Sequence, residues 1–181
     1  MDAELTAFLK AATAQIEHGF FLFPIMGGGQ IFRERVYCYE LYHQLRCVWK
    51  GVDPYVLNGE VDKKSHPFLK ELKSSPKIPD FLVHTPGAME GNFGIIEVKP
   101  GDATEGEIKG DLEKLTHFIE AWKYKRAILL LYGENTEAVT SRVRGAANCL
   151  RICASIEIWH HAHPKEAAQY LFHLTPAVEK K

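Results

Sequence analysis

The stretch 78–100 reads IPDFLVHTPGAMEGNFGIIEVKP. Two apolar runs, IPDFLVH (78–84) and FGIIEVK (93–99), flank a Gly-rich turn, a pattern that predicts a β-hairpin. Side chains alternate across a strand, so Glu97 and Lys99 share one face while Ile96 and Val98 share the other. A buried face rarely tolerates charge unless the charge is paired or holds an ion. Asp80 opens the first arm after Pro79, and the hairpin brings that acid beside Glu97.

Two carboxylates converging with one ammonium have definite chemistry. The carboxylates can hold Mg²⁺ or Mn²⁺, with water filling the remaining positions. Such an ion stabilises charge on a phosphoryl oxygen and activates a water. Lys99 then orients or deprotonates that water, or offsets charge in the pentacovalent transition state. Taken alone, ExK on a strand is a weak signal, more often a solvated stripe on an edge strand with the Asp capping a turn. The preceding Pro79-Asp80, the strand context and the helix that follows favour a site.

Outward from the hairpin, Leu5, Phe8, Leu9, Ala12 and Ile16 recur at helical spacing and predict a helix over 3–17. HGFFLFPIMGGGQ (18–30) is turn and loop chemistry. A helix follows over about 32–50, with Cys38, Leu41, Leu45 and Val48 as its stripe. YVLNGEV (55–61) reads as a short strand, and DKKSHPFLKELKSSPK (62–77) as a polar, lysine-rich connection. Beyond the hairpin, Thr104 and Glu107 fit a capping box, and Ile108, Leu112, Leu115, Ile119 and Trp122 give the next helix its stripe. RAILLLY (126–132) has the continuous apolar run of a strand covered on both faces. A basic helix (about 137–153), a final strand SIEIWHH (155–161) and a frayed tail EKK (179–181) complete the chain. A helix between the third and fourth strands demands a crossover, hence an α/β fold with a central mixed β-sheet flanked by helices.

With 181 residues, 46% apolar and 25% charged, the chain reads as a single globular domain. No apolar run approaches the roughly eighteen residues of a membrane span. The start, MDAELTAFLK, is acidic and amphipathic and lacks the pattern of a signal peptide, so a cytoplasmic location is expected. Cys38 and Cys47 lie in one predicted helix, Cys149 and Cys153 in another. None forms a CxxC pair, which favours reduced thiols over zinc or redox work. A net charge of −1 argues against indiscriminate coating of nucleic acid but not against an acidic metal site with a basic rim.

The motif PD…ExK, carried by Pro79-Asp80 and Glu97-Val98-Lys99, resembles that of the PD-(D/E)xK nuclease superfamily, the restriction-endonuclease-like fold. The predicted element order matches its αβββαβ core over about residues 32–163. The wider pattern ELYHQLR, GEVDK, PDFLVH, NFGIIEVK and DLEKL resembles a group of stand-alone prokaryotic members. The resemblance implies Asp80 and Glu97 as ligands of Mg²⁺ (or Mn²⁺) and Lys99 as the water-positioning lysine. It also implies an acid from the preceding helix, here Glu40, in the site. The activity implied is metal-dependent hydrolysis of phosphodiesters, with DNA as the expected partner. Cutting both strands needs two sites, which a homodimer would supply. Two rival readings stand beside it: a catalytically inactive module of the same fold that binds nucleic acid or protein, and a hydrolase directed at RNA or nucleotides.

Further residues carry weaker signals. Glu60 is a second metal position or an exposed strand acid near Lys63. His84 lies on the Asp80 face but roughly 13 Å along the strand, so it contacts substrate or is simply structural. Asp111 and Lys114 sit off the apolar stripe of their helix; Lys114 reaches a substrate phosphate or lies on a solvated face. Arg144 and Arg151, with Arg142 nearby, give the late helix its basic character, and the first two are the expected phosphate-backbone contacts or else ordinary surface arginines. His160, His161 and His163 read as a surface cluster. Gly27 to Gly29 lack the GK[ST] of a phosphate loop and read as a flexible loop over the site.

Overall fold

The computed structural model describes residues 1–60, 78–148, 150 and 153–175. In chain order its elements are α1 (Asp2–Thr13), α2 (His18–Phe21), β1 (Phe23–Pro24), β2 (Gln30–Ile31), α3 (Glu34–Val48), β3 (Val56–Gly59), β4 (Phe81–His84), β5 (Asn92–Pro100), α4 (Glu105–Trp122), β6 (Arg126–Tyr132), α5 (Thr136–Asn148), β7 (Ile156–His161) and β8 (Gln169–Leu174).

The described residues place β3 to β8 side by side, in sequence order, in one sheet. β3, β4 and β5 run antiparallel, and the β4–β5 hairpin is the one quoted above. β5, β6 and β7 are parallel. A parallel pair cannot be joined by a tight turn, and α4 and α5 supply the two crossovers. β8 then returns antiparallel to β7.

α1 packs on α3, and α4 packs on α5. One apolar core joins Leu5, Leu9, Leu41 and Leu45 to Ile96, Val98, Ile128 and Leu130. The other joins Ile108, Leu112, Leu115 and Val139 to Ile95, Leu129, Leu131 and Ile158. β6 feeds both cores by simple alternation, which is why its run is apolar throughout and buried at every residue. The α4 capping box forms: the Glu107 N–H donates to Thr104 Oγ1 at 3.3 Å, and the Thr104 N–H to Glu107 Oε2 at 2.8 Å. Arg126, at the start of β6, makes a bidentate pair with Glu157 of β7 at 2.6 and 2.9 Å. It also donates to the Asp2 carbonyl and Thr6 Oγ1 of α1, each at 2.8 Å.

Several expectations need correction. Residues 18–30 are not plain loop: α2 gives one helical turn, and β1 pairs with β2 around the glycines. The late helix ends at Asn148 rather than near 153, so Cys153 lies beyond it. The strand at 156–161 is not the last, because β8 covers its outer edge. His160 and His161 are buried rather than a surface cluster, the first against Thr136 and the Gly133 carbonyl and the second against Tyr37 and Phe21, and His163 alone of the three is exposed. The connection 62–77, Cys149, Arg151 and the tail lie outside the described residues. Among those described, no helix is long and apolar enough to cross a membrane, and Cys38 and Cys47 are free thiols.

Candidate active site

β5 runs past the end of β4, which leaves the Val98 N–H without a strand partner on that side. Asp80, just before β4, supplies one: its Oδ2 accepts from the Val98 N–H at 2.7 Å. The antiparallel register pairs Phe81 with Ile96. The next position outward therefore sets Asp80 opposite Glu97, on the same face of the sheet. Glu97 is only 1% exposed. Its Oε2 accepts from the Lys114 ammonium at 2.7 Å. Its Oε1 is buried and has no hydrogen-bond partner among the described residues.

Lys99 lies two residues farther along the same face. Its ammonium is held between Glu34 Oε2 at 2.7 Å and Asp111 Oδ2 at 3.2 Å. Asp111 also meets Lys114, at 3.3 Å through Oδ1. The cluster thus gathers acids from α3 (Glu34), the start of β4 (Asp80), β5 (Glu97) and α4 (Asp111) around two lysines. It lies at the carboxyl end of β5, where parallel sheets commonly place ligands.

The charges explain the proton affinities. Burial first, then the charges of Glu34 and Asp111, push the Asp80 carboxyl up to about 6 despite the opposing Val98 N–H and Lys114. Burial and the neighbouring Asp80 raise Glu97 well above the carboxylate range. Burial pulls on Lys99 the other way, but its hydrogen bond to Glu34 and the charges of Asp111 and Glu34 reverse that, so its pKa ends above the ordinary lysine value. Lys114 is likewise raised, its burial outweighed by Glu97 and Asp111. Both lysines are firmly cationic. Cys38, on α3, is pushed up by burial and by the fields of Asp80, Glu34, Glu97 and Glu60 in turn, so it stays a neutral thiol facing a negative site.

Four carboxylates and two ammoniums leave a formal surplus of two negative charges when all are ionised. A divalent cation would cancel it, and the unpartnered Glu97 Oε1 is a vacant acceptor for one. Asp80 and Glu97 are oxygen donors of the kind Mg²⁺ and Mn²⁺ prefer. Among the described residues no three such side chains stand in ready-made coordination. Lys114 and the Val98 N–H now take oxygens that a metal would share. The donor set fits a hard divalent ion; binding one requires Lys114 to yield part of its hold.

The other predicted residues sit as follows. Glu40 accepts from Gln44 Nε2 at 2.6 Å along its own helix, and the α3 acid that reaches Lys99 is Glu34. Glu60 follows β3 with its N–H on the Asp80 carbonyl, 3.0 Å away, and its carboxylate 3.7 Å from Arg35. His84 bonds Asn58 Oδ1 at 2.8 Å, at the far end of β4 from Asp80. Lys114 meets Glu97 rather than solvent, which corrects its placement off the helix stripe. Arg144 lies over the Phe172 ring of β8, 4.6 Å from its centroid. Arg142, not Arg144, reaches the turn after Lys99, donating to the Gly101 carbonyl.

Glu34 is not singled out by the sequence reading and Asp111 is set off its helix stripe there, yet each has a signal. Ile108, Asp111, Leu112 and Leu115 follow the i, i+3, i+4, i+7 rule, so Asp111 occupies an inward position. Carrying the Cys38–Leu41–Leu45 stripe back one turn lands on Glu34. An acid in an apolar stripe marks a buried partner, here Lys99. Comparison of the chain with protein-family models gives no match, and comparison with curated proteins gives none.

Proposed function

We propose that this protein is a divalent-metal-dependent nuclease of the restriction-endonuclease-like type, hydrolysing phosphodiester bonds in DNA. The observation that carries the reading is the buried Glu97 Oε1 without a partner among the described residues, inside a cluster of four acids and two lysines. The succession α3–β3–β4–β5–α4–β6 supports it by following the αβββαβ order. Asp80 and Glu97 would hold Mg²⁺ or Mn²⁺, and Asp111 and Glu34 stand behind them through the lysines. When bound, the ion supplies polarisation of a phosphoryl oxygen and a more acidic water.

The residues of the chain supply the rest. Lys99 is clamped by two acids and raised in pKa, so it acts as a fixed ammonium rather than as a base. A fixed ammonium offsets charge that develops on the phosphoryl group and orients an attacking water. Glu34 and Asp111 hold it in position, which removes the entropy cost of placing a flexible lysine at the moment of reaction. Lys114 fixes Glu97 through its Oε2 at 2.7 Å and opposes the upward pull of burial on its pKa.

The test is incubation of purified protein with plasmid, linear single-stranded DNA and RNA, in Mg²⁺, Mn²⁺ or EDTA. Metal-dependent cleavage is expected. Calorimetry should show Mn²⁺ binding that Asp80→Ala loses. Lys99→Ala and Lys99→Met should both keep Mn²⁺ and lose cleavage by roughly a hundredfold or more, the scale of a group acting mainly in the transition state. No cleavage by wild type under any metal would leave a binding module. Lys99→Ala cleaving at the wild-type rate would remove that residue from the chemistry.

A further inference from the structure

A cavity of about 320 Å³ opens beside the acid cluster, between α3 and the β3–β4 edge of the sheet. Tyr39, Tyr42, Asn58, Glu60, Asp80 and Phe81 are among the residues that line it. Tyr42 and Phe81 lie with their rings within 7° of parallel and their centroids 6.2 Å apart, which makes a firm aromatic wall. Tyr39, one turn earlier on the same helix, is 61% exposed at the cavity and makes no ring contact with either. Gly59 lines it as well, where a Cβ would stand in ordinary contact with the Asp80 carbonyl and the Tyr42 ring, 3.6 Å from each.

The polar lining is acidic. Glu60 and Asp80 are its acidic residues, Glu60 with Arg35 3.7 Å from its carboxylate; Asn58 has an amide whose oxygen is engaged by His84, and no lysine or arginine is among the described lining residues. A phosphate would be repelled from such a cavity. A flat, neutral group carrying N–H donors would be welcome: its face meets Tyr39 and its donors meet Glu60. Nucleobases have that chemistry, and base–aromatic stacking tolerates any of them.

On the reading of the acid cluster as a nuclease site, we propose that this cavity takes a nucleobase next to the phosphodiester being cut, and so that the substrate is single-stranded DNA. A base inside a duplex is stacked and paired, and reaching a side cavity means paying to unstack it. An unpaired strand enters without that cost. Asp80 lines the cavity and belongs to the acid cluster, so a base held there delivers its own phosphate to the catalytic groups.

The test uses the full chain, a 12-nucleotide DNA strand, a hairpin duplex of the same sequence and the corresponding RNA. Wild type should cut the single strand with a kcat/KM at least about tenfold above that of the duplex. Tyr39→Ala should lose roughly tenfold on the single strand, the scale of one lost stack, with an unchanged melting temperature. Tyr39→Phe, which keeps the ring face, should recover most of what Tyr39→Ala loses. An abasic position beside the cut linkage should cost wild type a similar factor, and Tyr39→Ala should lose nothing more on that strand, since the two changes remove one contact. Equal rates on duplex and single strand, or Tyr39 and abasic losses that multiply, would overturn the base cavity while leaving the nuclease intact. RNA cut in preference to DNA would move the cavity to ribonucleotides and overturn the substrate named here. A wild type that cuts no nucleic acid in any metal would end the nuclease reading, and this inference with it.

Discussion

Lys114 is the counter-ion that makes the buried Glu97 tolerable. Replacing it by Met leaves a carboxylate in the interior with no cation. The expected loss of stability is about 2–3 kcal/mol, less than that of a broken buried pair elsewhere because Glu97 can take up a proton instead. Melting in EDTA and in Mn²⁺ tests this: Mn²⁺ should raise the variant more than wild type, since the metal fills the charge the lysine vacated. Equal rises would detach Lys114 from the metal balance. His161 is a second buried titratable group. Its Nδ1 is hydrogen-bonded to the Tyr37 hydroxyl at 2.7 Å, with Phe21 and Tyr132 packed around the pair. Burial lowers its pKa from 6.5 to about 4. The unfolded chain therefore binds a proton that the fold refuses. Its contribution is full above about pH 6.5 and falls away toward pH 4, by up to about 3 kcal/mol. Asp80 works in the opposite sense in the metal-free protein: raised from 3.8 to about 6, it adds stability as pH falls through that window. The informative quantity is thus the stability gap between wild type and His161→Phe by urea unfolding, which should shrink between about pH 7.5 and pH 4.5. A constant gap would show that His161 does not titrate in this way. Asp80, Glu97 and Lys99 were legible because hairpin alternation puts them together. Glu34 and Asp111 were not, because the helix stripes were traced through apolar letters alone.

At the scale of elements, what was legible had a local cause. The α4 start was marked by its capping box, β6 by an unbroken apolar run, and the β4–β5 hairpin by alternation around a turn. β8 had no such mark. Its residues are partly or largely exposed, so QYLFHL carries little apolar patterning, and its place is set by pairing with β7. The turns that close the parallel strands have their own constraint. Gly101 donates to the Tyr132 carbonyl at 2.7 Å, and Gly133 to the His161 carbonyl at 2.9 Å, so the ends of β5, β6 and β7 are laced together behind the site. Gly133 has φ +77, and a Cβ on it would run into the Phe32 ring. Gly133→Ala is expected to cost about 1–3 kcal/mol. Gly29→Ala, where a Cβ meets nothing within 4 Å, should stay within about 0.5 kcal/mol. Chemical denaturation of both variants checks the contrast, and equal effects would show that the Gly133 turn relaxes freely.

At the scale of the whole molecule, one sheet divides two apolar cores, and β6 belongs to both. Leu9→Ala in the α1–α3 core and Leu112→Ala in the α4–α5 core should each cost about 2–5 kcal/mol. Because the sheet unites the layers, the double variant should unfold in one transition with the losses adding to within about 0.5 kcal/mol. Two resolved transitions would show that the layers melt separately. The Arg126 staple carries this unity to the chain's beginning, and it bears on how the protein is made. The Asp2 carbonyl waits for a guanidinium 124 residues later. At roughly 5–20 residues per second of synthesis, that interval lasts about 6–25 s. For the first part of it, until β5 follows, the Leu5–Leu9–Ala12 stripe has no central strand of its core to cover it. A nascent chain arrested before β5 should therefore present this helix to chaperones and proteases, and one arrested after β7, with the Arg126 staple closed, should hide it.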